Sequence, residues 1–427
     1  MKNFILLLFL PIFIAACGGG GGSYSVSAGA SIVSGEAGVN MLSAPSVSGA
    51  ANVVPVIVDS GPAGNSVNSL FTTVTVCQPG STTQCQTIDH VLVDTGSTGL
   101  RILSSVLSSS MHLNLVQTGG GKPVLGCANF LDGTFAWGPV ALADVRMGGE
   151  VAVSTAIQVV GSSTYNSLSR PCSTSGSAIK TASDLGANGI LGVGLSKQDC
   201  GDPCDPLNGN NPQNGMYFAC SNASCGSVVG TTLNTAQQLQ QPVAALAADN
   251  NGLAVILNNT NAQGQASLSG TMVFGLGTQA NNQFSSLSVL GTDGQGYITT
   301  QMANTGLGTA LTLATSFLDT GSSGLFFDGS ITQCHGANAG YYCPAPDITT
   351  TASLIGQLGT ASKFVTFTIG NADTLLSSSN TALPTLGATV GDRTSFDWGL
   401  PFFFGRTVVL GIEGKSSNFG TGPYYAL

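Results

Sequence analysis

Residues Val91–Leu103 read VLVDTGSTGLRIL, and residues Ser316–Asp328 read SFLDTGSSGLFFD. The two stretches share DTGS-x-GL, and Asp319 follows Asp94 by 225 residues. A repeat at that distance puts the copies in different halves of the chain and not in adjacent hairpins. In each copy an apolar strand delivers an aspartate to a Thr-Gly-Ser turn, so the strand makes the carboxyl's position rigid. Gly96 and Gly321 permit a close approach that a Cβ would block, which leaves backbone N–H groups free to point at the carboxylate. Ser97 and Ser322 offer hydroxyls to the same oxygens. Thr95 and Thr320 are β-branched and held in few rotamers, so their hydroxyls can reach across to the partner turn. Asp94 and Asp319 are therefore the candidate catalytic residues, with Thr95, Gly96, Ser97, Thr320, Gly321 and Ser322 as support.

Outward from these turns the chain reads as β structure. Short β-branched runs recur: VVPVIV, LFTTVTV, AIQVV, LAVIL, FVTFTI and RTVVLGI, most of them bounded by Gly, Asn or Ser. Glycine reaches 59 of 427 residues, and Lys and Glu are scarce, which favours a sheet protein with many tight turns over a helical bundle. The best helical signals are TAQQLQQPVAALAAD at 235–249, which Pro242 interrupts or restarts, and TASLIGQL at 351–358. Charged residues are only 7% of the chain and the net charge is −9, which argues against nucleic-acid or polyanion binding.

The paired motifs resemble the pepsin-like aspartic peptidases, in which two lobes each contribute one Asp-Thr-Gly-Ser/Thr turn to a shared cleft. The resemblance extends past the motifs. NGILGVG at 188–194 stands where the family locks its first aspartate strand, and WGLPFFFGRTVVLGI from Trp398 is similar to the closing strand pair of the second lobe. SGTMVFGLG at 269–277 is similar to the stretch leading into that lobe. The resemblance implies an all-β, two-lobed fold with a cleft between lobes and few short helices, an N-terminal lobe over 53–282 and a C-terminal lobe over 283–427. It also implies endopeptidase chemistry on an extended peptide lying in the cleft, by a monomer that needs no cofactor and no metal. Two carboxyls close together in a partly dry cleft cannot both ionise, so the pair holds one proton; pepsin, a relative in this comparison, is the standard example of such a pair. The ionised member is then the base for a water and the protonated member the acid, with an acidic optimum expected because both turns carry serine donors.

Two departures from the family pattern bear on activity. The stretch corresponding to the flap hairpin, NFLDGTFAWGPVALADVRMGG at 129–149, has no tyrosine. Asp132, Gly133 and Thr134 stand where the tyrosine is expected, leaving Phe135 or Trp137 as candidates to cap the cleft, with an ordinary packed role for Trp137 as the competing reading. Arg101 occupies a position where an aromatic is usual. The family's basic prosegment is also missing, since no Lys or Arg lies between Lys2 and Arg101. The alternative function is a catalytically inactive pepsin-fold binding or scaffold lipoprotein of the envelope. A calcium-binding structural protein lacks the repeated Asp spacing it would need. His90, His112 and His335 show no metal-ligand spacing, and His90, in the strand before Asp94, reads as structural.

The N-terminus reads as a lipoprotein signal over 1–17. Lys2 precedes a thirteen-residue apolar run, Phe4 to Ala16, too short for a membrane span of about 20 residues, and Ile14-Ala15-Ala16-Cys17 resembles a bacterial lipobox. Cys17 is then the lipidated residue, and because Gly18 is not aspartate the outer membrane is the expected destination. Residues 18–52 form a Gly/Ser/Ala-rich tether. Ten further cysteines, an even number in an exported chain, predict disulfides. Short separations favour Cys77–Cys85 and Cys334–Cys343, and Cys127 and Cys172 remain for each other. Cys200, Cys204, Cys220 and Cys225 allow three pairings, with a metal site as a competing use that lacks a nearby histidine.

Overall fold

A computed structural model describes residues 49–167, 172, 176–222, 225–303, 310–357 and 361–427. The signal segment, Cys17 and most of the tether lie outside the described residues. Each β-branched run named above becomes a strand, from Val53–Val58 and Leu70–Cys77 to Ser362–Ile369 and Thr407–Gly411. The molecule is all-β. Among the described residues the α-helices are two short ones, Ala182–Leu185 and Ala372–Leu376, each opened by a side-chain cap. Thr181 and Asp184 form a capping box, and the Asn371 side chain accepts from the Thr374 N–H.

Both helical signals of the sequence give way to tertiary pairing. In 235–249 the chain makes a 3₁₀ helix at Thr235–Gln237 and a separate turn over 242–245, and no α-helix. Beyond it Gln241 N–H donates to Lys197 O, and Asp199 N–H donates to Leu239 O. The glutamine side chains complete the docking: Gln238 Nε2 donates to Gly201 O at 2.9 Å and Gln241 Nε2 to Gly194 O at 3.3 Å. Residues 351–355 belong to the strand Ile348–Ile355, which is sandwiched between Ile298–Met302 and Ser362–Ile369. There Ala352 and Leu354 point inward while Thr351 and Ser353 point outward, a period of two that the local sequence shares with a helix turn.

Seventeen strands form one sheet system and seven form another. Asp94 ends the strand Cys85–Asp94 in the first, and Asp319 follows the strand Leu311–Leu318 in the second. The seven-stranded sheet is drawn wholly from strands between Ile298 and Trp398. The chain's last strands return to the larger system: Thr407–Gly411 pairs with Gly252–Leu257, and Tyr424–Ala426 pairs with Val289–Gly291. Leu268–Phe274 lies between Val53–Val58 and Gly252–Leu257 in the same layer.

Five disulfides fasten this frame: Cys77–Cys85, Cys127–Cys172, Cys200–Cys204, Cys220–Cys225 and Cys334–Cys343. Within the cluster of four, each cysteine bonds to its sequence neighbour. Such a set fits an oxidising, exported environment.

Candidate active site

The same three-strand knot carries each aspartate. In the first half, Gly189–Val193 runs parallel to the Asp94 strand, with Leu191 beside Val93, and antiparallel to Thr98–Leu103, with Leu191 beside Leu100. In the second half, Phe396–Trp398 runs parallel to the Asp319 strand, with Trp398 beside Leu318, and antiparallel to Leu325–Phe327, with Trp398 beside Leu325. Register therefore makes Leu191 the counterpart of Trp398, Ile190 of Asp397, and Arg101 of Phe326. NGILGVG locks the first strand as expected. The second lock is Phe396–Trp398 alone, because Thr407–Gly411 pairs elsewhere. Glycine follows Leu191 and Trp398 alike for a steric reason. A Cβ on Gly192 would meet the Thr98 backbone at 2.7 Å, and one on Gly399 would meet Gly324 O at 2.1 Å.

The knots bring Asp94 and Asp319 together. Thr95 N–H donates to Thr320 Oγ1 at 3.2 Å and Thr320 N–H to Thr95 Oγ1 at 2.9 Å. Each threonine hydroxyl then donates across the interface, Thr95 to Leu318 O at 3.0 Å and Thr320 to Val93 O at 2.7 Å. Gly96 N–H donates to Asp94 Oδ1 at 2.9 Å and to Asp319 Oδ1 at 3.1 Å, so one backbone proton serves both carboxyls. A Cβ on Gly96 would stand 2.6 Å from Asp319 Cγ, which is why glycine is required there. Gly321 N–H donates to Asp319 Oδ1 at 2.7 Å. Ser97 Oγ donates to Asp94 Oδ2, and Ser322 Oγ to Asp319 Oδ2 at 2.8 Å. All eight residues singled out from the two motifs meet in this one cluster.

Both aspartates are fully buried, at 0% exposure. Burial drives Asp94 above the usual carboxylate range, and hydrogen bonds from Ser97, Asp319 and Gly96 together with the charge of Arg101 pull it back. Asp319 is driven well above that range by burial and then by the neighbouring carboxyls Asp94 and Asp397. A cavity of about 100 Å³ adjoins the pair, lined by Thr95, Gly96, Leu195, Tyr297, Phe317 and Tyr425 among others.

Three residues that sequence reasoning passed over complete the site. Asp397 is wholly buried, and its Oδ2 lies 2.6 Å from Ser322 Oγ. Its sequence signal was an acid inside the apolar triplet Phe396–Trp398. Asp199 and Tyr217 explain the unusual Arg101. The guanidinium is 2% exposed, donates through Nη1 to Thr98 O at 2.8 Å and pairs through Nη2 with Asp199 Oδ2 at 3.4 Å. Tyr217 OH donates to Asp199 Oδ1 at 2.5 Å and accepts from Leu239 N–H at 2.8 Å. Burial raises Asp199 to about 6 although Arg101 and Tyr217 oppose the rise.

The hairpin without a tyrosine turns at Asp132–Thr134, where Asp132 Oδ1 accepts from Thr134 N–H and Oγ1, both at 2.7 Å. Phe135 and Trp137 are buried in a cluster with Cys127, Cys172 and Phe218, and Trp137 Nε1 donates to Tyr165 O at 3.0 Å. His90 lies 3.3 Å from Asp59 and 3.1 Å from Asp89. Among the described residues, one group of His, Cys, Asp or Glu is close enough to hold a metal: Cys334, Cys343 and Asp373. Its two sulfurs are joined to each other, so it does not fit an ion.

Comparison with known proteins adds the following. No curated protein matches the chain. Among solved structures, the chain is similar to the crystal structure of aspartic proteinase from Irpex lacteus, with 15% sequence identity, a TM-score of 0.44, and coverage of 88% of this chain and 96% of that one. A family model described as Protein of unknown function (DUF3443) matches residues 48–427, the whole of the described body, and the chain belongs to that family.

Proposed function

We propose that the chain is an aspartic-type endopeptidase, with Asp94 and Asp319 activating a water against the carbonyl of an extended peptide. One observation carries the reading: two fully buried carboxyls from different sheets accept from the same Gly96 N–H. Two such groups cannot both be charged, so they divide into a base and an acid. The ionised member takes a proton from the water, and the protonated member polarises the carbonyl and then protonates the leaving amine. No covalent intermediate is required. Activity rises as the base ionises and falls as the acid loses its proton. Both groups are shifted upward, which moves this bell toward neutrality relative to exposed carboxyls; its maximum is expected on the acidic side. The substrate is a peptide in β conformation, bound by backbone contacts between the lobes. We place the enzyme in the bacterial envelope as a monomer, on an acyl anchor at Cys17 in the outer membrane.

The rival reading, a binding or scaffold protein of the same fold, draws on the complete burial of both carboxyls and on the hairpin that lacks a tyrosine. The test is cleavage of a peptide library by the body from Gly49 onward, across acidic to neutral pH. Asp94→Asn and Asp319→Asn are each expected to lower kcat by about 10²–10⁴-fold, the usual worth of general acid or base catalysis, while staying folded as thermal melts check. Cleavage indifferent to both substitutions, or no cleavage at any pH, gives the rival its case.

A further inference from the structure

Resting on the peptidase reading, we propose that Asp397 is a third acid of the site: joined to Asp319 through the Ser322 hydroxyl, it holds a proton of its own, so that three carboxyls share two protons and the one negative charge rests on Asp94.

The argument is a count of hydrogens. Ser322 Oγ stands 2.8 Å from Asp319 Oδ2 and 2.6 Å from Asp397 Oδ2. A serine hydroxyl has a single hydrogen to donate, so both contacts are hydrogen bonds only if a carboxyl donates back to Oγ. Asp319 Oδ1 accepts two backbone N–H groups, from Gly96 and Gly321, on the side of Asp94, and Oδ2 is the oxygen that faces Ser322. Gly96 N–H binds Asp94 Oδ1 and Asp319 Oδ1 alike, so the two carboxyls meet on their Oδ1 side and share the proton of the pair there, away from Ser322. Asp94 accepts from Gly96 and Ser97 and can take it. The hydrogen that serves Ser322 must then come from Asp397. Each link runs one way, from Asp397 to Ser322 to Asp319 to Asp94.

The surroundings agree. The charged or titratable groups that act on Asp397 or feel it are Asp94, Asp319 and Tyr425, none of them basic. Its Oδ1 has no hydrogen-bond partner at 0% exposure, a costly position for a carboxylate and a tolerable one for an acid. At two register positions one knot has a charged or titratable group where the other has an apolar one, and both differences favour the same end of the chain. Where the second half has Phe326 the first has Arg101, a cation felt by Asp94; where the first half has Ile190 the second has Asp397. Burial holds Asp397 well above the ordinary carboxylate range, as the count requires.

The test is infrared difference spectroscopy on protein carrying ¹³C-labelled aspartate, above pH 7, where Asp199, raised to about 6, is ionised. Parent minus Asp397→Asn is expected to show the loss of one protonated-carboxyl equivalent. Loss of a carboxylate band instead overturns the proposal. Asp319→Asn gives the same answer if the first variant does not fold: one protonated aspartate must remain, and none remaining overturns it. In the peptide assay Asp397→Asn, which keeps an N–H donor to Ser322 without titrating, is expected to hold the parent's pH profile whatever the change in kcat. Asp397→Leu removes the donor and is expected to lose about tenfold, the scale of one buried hydrogen bond. A displaced pH profile in Asp397→Asn overturns the proposal. Should the parent cleave nothing at any pH, the peptidase reading falls, and the infrared result alone still decides whether Asp397 holds a proton.

Discussion

At the scale of single residues, Arg101 shows how a side chain foreign to its motif is accommodated. A buried guanidinium needs a counter-charge, and Asp199, reaching it from 98 positions away, supplies one that Tyr217 helps to hold. Arg101→Leu strands the Asp199 carboxylate in the interior, a loss of about 3–5 kcal/mol at neutral pH by analogy with other broken buried pairs. Without Arg101 the Asp199 carboxyl takes up its proton at a higher pH than the parent's value of about 6, so the loss should shrink as pH falls toward 6, and thermal melts at pH 5 and pH 8 measure the difference. Asp199→Asn in the same protein should recover much of the stability at neutral pH. Because Arg101 also restrains the upward shift of Asp94, its removal should carry the acidic limb of any activity profile to higher pH.

At the scale of elements, the two knots are alike in hydrogen bonding and unlike in what supports them. The first rests on aliphatic strands, Val91, Val93, Ile102 and Leu191 among them. The second rests on aromatic rings: Phe396 and Trp398 stack at 3.8 Å, Phe327 stacks on Phe396 at 4.6 Å, and Phe367 meets both Phe396 and Trp398 edge-on. Trp398 Nε1 also donates to Thr300 Oγ1 at 3.0 Å, tying the knot to the neighbouring strand. Trp398→Ala should cost about 3–5 kcal/mol, the range for large aromatic deletions in cores. A lowered denaturant midpoint with unchanged slope is the expected reading. A midpoint within error of the parent would mean that the ring stack does not support the Asp319 turn.

At the scale of the whole molecule, buried acids govern the response to pH. Burial, then a hydrogen bond and charge from Asp249, raise Glu150 from 4.5 to about 8. A carboxyl raised on folding binds its proton more tightly in the native state, so its contribution to stability is complete below about pH 4.5 and is lost as pH climbs toward 8. Asp94, Asp319 and Asp397 act in the same direction. The folded protein should therefore melt at a higher temperature in weak acid than in weak alkali. Glu150→Gln should raise the melting temperature at pH 8–9 and leave it near the parent's at pH 5. A gain at pH 5 with none at pH 9 would contradict the assignment of Glu150. The five disulfides suit the same setting, an exported chain whose charge of −9 diminishes as its carboxyls protonate.

Much of this was legible along the chain because it is local. Alternation of β-branched residues announces strands, a repeated DTGS-x-GL announces two equivalent turns, and three of the five cysteine pairs follow from spacing and remainder. The helical readings at 235–249 and 351–358 failed for the complementary reason: distant acceptors of the glutamine side chains and flanking strands supplied partners that lie outside those windows. Asp397 was invisible as a site residue because an acid between Phe396 and Trp398 has no meaning until a parallel strand puts it beside Phe317 and Ser322. By itself the sequence determined that two identical aspartate turns exist, each on an apolar strand. Only the tertiary structure decided that they share one Gly96 N–H, that Arg101 stands by one and Asp397 by the other, and so which carboxyl is easier to ionise. The reason is physical: backbone propensity acts between neighbours, whereas the energy of a buried charge depends on every group that folding brings within a few ångströms of it.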